Sequence, residues 1–263
     1  MKFLLLYLFL ILFIIGACKQ NPPIKTEANL TFDHVLIFCK GNEFEDSLSQ
    51  LFTFADKLSS KHPEQGTMGR YILVMNSFIE LLYIEDSAKV KNNEDRFRSP
   101  YLNRWDPGSA CPFAFGLILE PYDSTTCVYP FEAYRSLDIP QEAYYLMSVA
   151  NKDASQPMIY ASPKERAHRT YEDISEIYEI EDDNKRRDLK KYMQHPSGIQ
   201  RLTSVIISLP SGEIIEGNLK ILNELKEVET VKAEGYQLTL VFDEAKQGKS
   251  FDIVADIDVR IEY

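Results

Sequence analysis

The sequence predicts an α+β fold. Residues 32–85 read as strand, helix, strand, strand, and residues 201–263 read in the same order. The runs FDHVLIFC (32–39), GRYILVMN (69–76) and SFIELLYIE (77–85) are short, apolar and rich in the β-branched and aromatic residues that suit a pleated surface. Between the first two, Phe44, Leu48, Leu51, Ala55 and Leu58 recur at helical spacing, and Asn42 with Glu45 three residues on fits an N-terminal cap.

The remaining elements follow from the same signals. Residues 87–110 are polar and aromatic without periodicity, with Trp105-Asp106-Pro107-Gly108 as a turn. CPFAFGLILEP (111–121) reads as a buried strand, and 122–165 as short strand pieces, YYLMSVA and PMIYA, between proline turns. Thr170-Tyr171-Glu172-Asp173 has a capping-box pattern and opens a charged helix predicted to run to Gln194, acidic first and basic second, in keeping with a solvated helix and its dipole. RLTSVIISLP (201–210), YQLTLVFD (236–243) and FDIVADIDVRIEY (251–263) read as strands, with a short helix in GNLKILNELKEV (217–228).

The opening MKFLLLYLFLILFIIGACKQ places one positive charge before thirteen apolar residues and then Gly16-Ala17, the layout of a secretory signal over 1–17. Ile15-Gly16-Ala17-Cys18 resembles the lipobox of bacterial lipoproteins. That resemblance implies export, a lipid on Cys18 and anchoring to the cell envelope, with 18–31 as a polar tether. Asn29-Leu30-Thr31 fits a glycosylation acceptor, which beside a lipobox reads as chance. With 29 Lys and Arg against 40 Asp and Glu the net charge is −11, and −12 once Lys2 leaves with the signal. Such a chain repels nucleic acid and anionic lipid, so the lipid must carry the anchoring. With Cys18 modified, Cys39, Cys111 and Cys127 allow at most one internal disulfide. Cys111–Cys127 is the expected pair, because Cys39 sits inside a strand pattern. No Gly-x-Ser-x-Gly, phosphate-cradling glycine loop or zinc-type cysteine pair occurs.

One residue stands out. Glu80 interrupts the apolar run NSFIELLYIE, and a carboxylate on a half-buried strand is costly unless something pairs with it. Arg70 on the neighbouring predicted strand is one possible partner, and a cup-facing functional role is the other reading. The motifs around it give a context. Asp33-His34-Val35, Gly66-Thr67 with Phe78-Ile79-Glu80-Leu81-Leu82, and His195-Pro196-Ser197-Gly198 occur in the order in which similar segments occur in glyoxalase-like proteins of the vicinal oxygen chelate superfamily. The chain resembles that family over most of 32–85 and 195–210.

The resemblance implies paired βαβββ modules forming a cupped mixed sheet over 32–263. The first module would span about 32–121, the second about 195–263, with an irregular middle of 122–194 containing the charged helix. It also implies that His34 and Glu80 face the cup as ligands of a divalent metal, Fe²⁺, Mn²⁺ or Zn²⁺. A site of imidazole and carboxylate can polarise a carbonyl or activate oxygen. In the second module Ser204 stands where a histidine is expected, and Glu262 is the candidate carboxylate. Thr67, Arg70, His195 and Ser204 are candidate ligand-binding positions. A hydrogen-bonded strand role for His34, turn-capping roles for His62 and His195, and a surface place for His168 are the bland alternatives. Two functions follow: an envelope protein that binds a small oxygenated molecule or a partner at an incomplete site, or a metal-dependent glyoxalase- or dioxygenase-type enzyme.

Overall fold

The computed structural model describes residues 29–97, 99–106, 108–125, 127–135, 144–210, 216–254 and 257–263. The expected signal segment, Cys18 and residues 19–28 of the expected tether lie outside the described residues, whereas residues 29–31, expected as tether, open the first strand. The fold is α+β, with two mixed sheets and few helices.

The larger sheet takes in β1 (Asn29–Phe38), β2 (Ser60–His62), β3 (Thr67–Val74), β4 (Ser77–Ile84), β5 (Phe113–Glu120), β6 (Phe131–Tyr134), β7 (Tyr145–Ser148) and β8 (Met158–Ser162). Its order is β2-β3-β4-β1-β5-β8-β7-β6. β1 and β5 pair antiparallel at its centre. Outward from each lies a parallel partner, β4 or β8, and then an antiparallel meander. The strand order of 29–84 is therefore repeated by 113–162. A helix, α1 (Glu43–Leu48), follows β1, whereas no helix lies among the described residues between β5 and β6.

The second sheet differs. β9 (Leu202–Leu209), β10 (Val228–Lys232), β11 (Gln237–Phe242), β12 (Ser250–Val254) and β13 (Asp258–Glu262) run in the order β10-β9-β11-β13-β12. β9 is parallel to the very next strand, β10, and antiparallel to β11. The recurrence of strand, helix, strand, strand in 201–263 is thus a recurrence of element order and not of topology. Local periodicity fixes which residues form strands, while pairing is settled by distant contacts. The stretch expected to be irregular, 122–194, holds β6, β7 and β8, which complete the first sheet with β5.

Side-chain alternation divides the large sheet. Val35, Ile37, Ile79, Leu81, Phe113 and Phe115 point to one face and are fully buried against Val205, Ile207, Leu238, Leu240, Val259 and Ile261 of the second sheet. Each such side chain contributes about 1.5–3 kcal/mol when removed from water. The opposite face is covered in part by α2 (Ser87–Asn92), α3 (Glu94–Phe97) and the helical turn Leu102–Trp105. Val90, Phe97, Tyr101 and Trp105 pack there on Leu36, Phe38, Leu82 and Met147. Trp105 Nε1–H donates to the Leu82 carbonyl at 2.9 Å.

The predicted helix over 170–194 is two helices, α4 (Ser175–Tyr178) and α5 (Asp183–Tyr192). Asp182 starts the second by accepting from the Asn184 and Lys185 amides at 2.9 Å. Ile177 and Tyr192 are buried against Leu73 and Met75, so this segment is packed as well as solvated. The last helix, α6 (Gly217–Leu222), is buried at Leu219, Ile221 and Leu222. The expected Cys111–Cys127 disulfide is absent: Cys39, Cys111 and Cys127 are buried free thiols. Burial pushes the Cys111 thiol up to about 12, so it stays protonated.

Candidate functional site

The site is built on an irregularity in β1. Phe32 pairs with Leu117 and His34 with Gly116, which leaves Asp33 as the extra residue of a bulge. Successive side chains of a regular strand point to opposite faces; a bulge re-aims one of them. Asp33 and His34 consequently meet, with Asp33 Oδ2 accepting from His34 Nδ1–H at 2.7 Å. The other oxygen, Oδ1, accepts the His168 amide at 2.8 Å. Burial alone would push the Asp33 carboxyl up. The hydrogen bond and charge of His34, with His168 beside it, outweigh that and hold it below the usual carboxylate range. With Nδ1 committed as donor to Asp33, Nε2 faces the Tyr160 hydroxyl at 2.5 Å. The imidazole also stacks on Phe78, ring centroids 3.9 Å apart.

Glu80 comes from β4, where it is opposite Leu36 on one side and Tyr71 on the other. One carboxylate oxygen is 3.8 Å from His34 Nε2, and the other accepts the Tyr71 hydroxyl at 3.3 Å. From Tyr71 the polar chain continues to Ser60 Oγ at 2.5 Å, then His62 Nε2 at 2.8 Å. It ends where His62 Nδ1 meets Thr67 Oγ1 at 3.1 Å. Burial raises the Glu80 carboxyl above its ordinary value in spite of His34, His62 and Tyr71 nearby. Burial and the proximity of Glu80 likewise keep the Tyr71 and Tyr160 hydroxyls protonated.

Two glycines make the room. A Cβ at Gly116 would stand 2.1 Å from His34 Cε1, and one at Gly69 2.6 Å from the Tyr71 hydroxyl and 2.7 Å from Glu80 Oε1. The cluster forms the floor of a cavity of about 440 Å³. Its walls are the inward residues of the strands: Leu36 and Phe38 of β1, Leu82 of β4, Ala114 of β5, Tyr145 and Met147 of β7, and Met158 of β8. Phe97 and Tyr101 face them from the helical side, and Lys61 and Arg166 reach in at the rim. Lys61 pairs with Glu85 at 2.8 Å. The Arg166 guanidinium lies over the Tyr145 ring, 5.7 Å from its centroid.

His34 and Glu80, both 7% exposed, are thus brought together as expected. Thr67 stands behind them, linked through His62. Arg70 does not meet Glu80. It pairs in register with Leu81, one residue out of step, and its guanidinium binds Glu45 at 2.8 Å and Asp56 at 2.9 Å on the other face. His195 is structural. The Thr53 amide donates to its Nδ1 at 3.1 Å, so Nε2 donates to the Leu73 carbonyl at 2.9 Å. Burial pushes its pKa down to about 4, which suits a neutral ring serving as both donor and acceptor. Ser204 and Glu262 lie in the second sheet, in one row across Val241, and Glu262 accepts from Arg260 Nε at 2.8 Å. They do not join His34. His168, expected at the surface, is half-buried, and its Nε2–H donates to the Val74 carbonyl at 3.1 Å.

The sequence reading missed Tyr71, Tyr160, Ser60, His62 and Arg166 as site residues. The turn at Met75-Asn76 sets Tyr71 opposite Glu80, one residue earlier than the hinge at Asn76-Ser77 that the apolar runs suggest. Tyr160 belongs to a strand whose place in the sheet no local signal reveals.

The donors do not fit a divalent cation. His34 Nε2 and Glu80 converge, but Asp33 is committed to His34 and the His168 amide, and His62 to Ser60 and Thr67. Among the described residues no group of three His, Cys, Asp or Glu side chains is arranged to hold a metal.

No protein-family model and no curated protein matches the chain. Among solved structures, that of a hypothetical protein from Staphylococcus aureus aligns with a TM-score of 0.49 and 13% identity, covering 89% of this chain and 99% of that one.

Proposed function

We propose that this chain is a lipid-anchored envelope protein that binds a small oxygenated organic molecule in the cup of its larger sheet. One observation carries the reading: buried His34 and Glu80 and partly buried Tyr160 converge at one end of a cavity whose other walls are largely apolar and aromatic. A concave apolar pocket with a few convergent polar groups is the usual form of a small-molecule site. Anchoring rests on the signal-like start and Cys18. A glyoxalase-like origin is supported by the repeated strand order and by Asp33-His34 and Glu80 falling on β1 and β4. On that reading the second half of the cup is 113–162, not 195–263. Its inward positions Ala114, Gly116, Tyr160 and Ser162 then supply neither imidazole nor carboxylate. The convergence of His34 on Glu80 is the feature that favours a metal-dependent enzyme instead.

The test is thermal unfolding of the purified protein with naphthol, catechol and acetophenone as probes. At least one should raise the Tm, with or without chelator, and none should do so in Met158→Trp, which fills the cavity. No shift with any probe, or shifts that persist in the filled variant, would defeat the reading.

A further inference from the structure

The walls and rim of the cup are chemically ordered, and the order constrains what fits. The floor carries two carboxyl groups, Asp33 and Glu80, which would repel an anion pressed against them. Above them lie the rings of Phe78, Tyr101 and Tyr145. At the rim, Arg166 has no carboxylate partner among the described residues, whereas Lys61 beside the same cavity is paired with Glu85. Arg166 rests on the face of Tyr145, which leaves the in-plane N–H donors free for a planar bidentate acceptor. Tyr145 in turn meets Tyr160 edge to face at 5.8 Å, so the cation, the two rings and His34 are joined by successive contacts. In a chain of net charge −11, an unpaired cation at a cavity mouth is a local departure from the surrounding field.

We infer that the occupant of the cup is an aryl carboxylic acid bound in one direction. Its carboxylate is held by Arg166 at the rim, its aromatic body lies among the rings, and a neutral oxygen function meets Tyr160, His34 and Glu80 at the floor. The inference rests on the reading of the cup as a small-molecule site, and it adds the ligand's charge and orientation.

Calorimetric titration of the purified full chain, against a detergent blank, separates the two. The probes are a naphthoate whose hydroxyl lies at the far end of the ring system from its carboxylate, and the methyl ester of the same compound. The acid should bind roughly tenfold more tightly than the ester, as a charge-assisted bidentate contact implies. In Arg166→Gln the acid should lose that advantage. Equal affinities in the unaltered protein, or a preference that survives in Arg166→Gln, would overturn the inference and leave the cup standing as a site. Binding by neither probe would overturn both. So would acid binding undiminished in Met158→Trp and in Ala114→Leu, the second variant guarding against misfolding of the first.

Discussion

Asp33 and His34 are adjacent in sequence, yet their side chains share a hydrogen bond of 2.7 Å because the bulge in β1 sets them on the same side. The carboxylate thereby orients the imidazole, and the arrangement leaves a distinct mark on stability. Asp33 titrates below its unfolded value, so its ionised form stabilises the fold above about pH 4, and that contribution is lost as the pH falls from there. Asp33→Asn should therefore cost about 1.5–3 kcal/mol near neutrality, as expected for a hydrogen bond to a charged group, and less in acid. Denaturant melts at several pH values measure it; a gap that does not narrow on acidification would contradict the assignment.

Glu80 should behave in the opposite sense. Its folded-state pKa is raised, so stability declines as the pH climbs from the unfolded carboxyl value, about 4.3, through the folded one. Glu80→Gln removes that decline, and its melting temperature relative to the unaltered protein should rise with pH over this window. His34, His62, Tyr71 and Tyr160 all face this carboxyl and remain in both proteins. A pH-independent difference would place the cause in packing.

Gly116→Ala places a methyl group where the His34 ring already lies, 2.1 Å from Cε1. The ring or the central strand must shift, at about 1–3 kcal/mol for overpacking. The loss of probe binding should exceed the loss expected from the fall in stability, because the displaced group is the floor itself. Calorimetry alongside denaturant melts shows whether binding survives.

Addition of Zn²⁺ or Mn²⁺ to chelator-treated protein should leave the melting temperature unchanged, since only His34 and Glu80 converge and the neighbouring donors are engaged. A rise of several degrees, abolished in Glu80→Ala, would restore the metal-dependent reading.

Much of this arrangement was legible in the sequence. The apolar runs of 32–39 and 69–85, rich in strand formers, marked the strands, and the cost of a carboxylate in NSFIELLYIE singled out Glu80. Parity could have gone further: with the turn at Met75-Asn76 rather than at Asn76-Ser77, Tyr71 and not Arg70 becomes the cross-strand neighbour of Glu80. The rest depended on long-range choices. Residues 113–162 show no helix among the described residues between their first two strands and so did not resemble 29–84, although they take up the same strand order. Residues 201–263 share the element order and pair differently, because their apolar faces are used to cover the back of the first sheet. Nothing local distinguishes those outcomes.

The position of β1 and β5 at the centre of an eight-stranded sheet, covered on one face by a second sheet, bears on how the protein breathes. Amides of these two strands should exchange with solvent only through global opening, whereas the short helical turn bearing Arg166 lies outside both sheets and can open on its own. The floor is then a fixed template, and the rim is the part whose fluctuations set how fast anything enters or leaves.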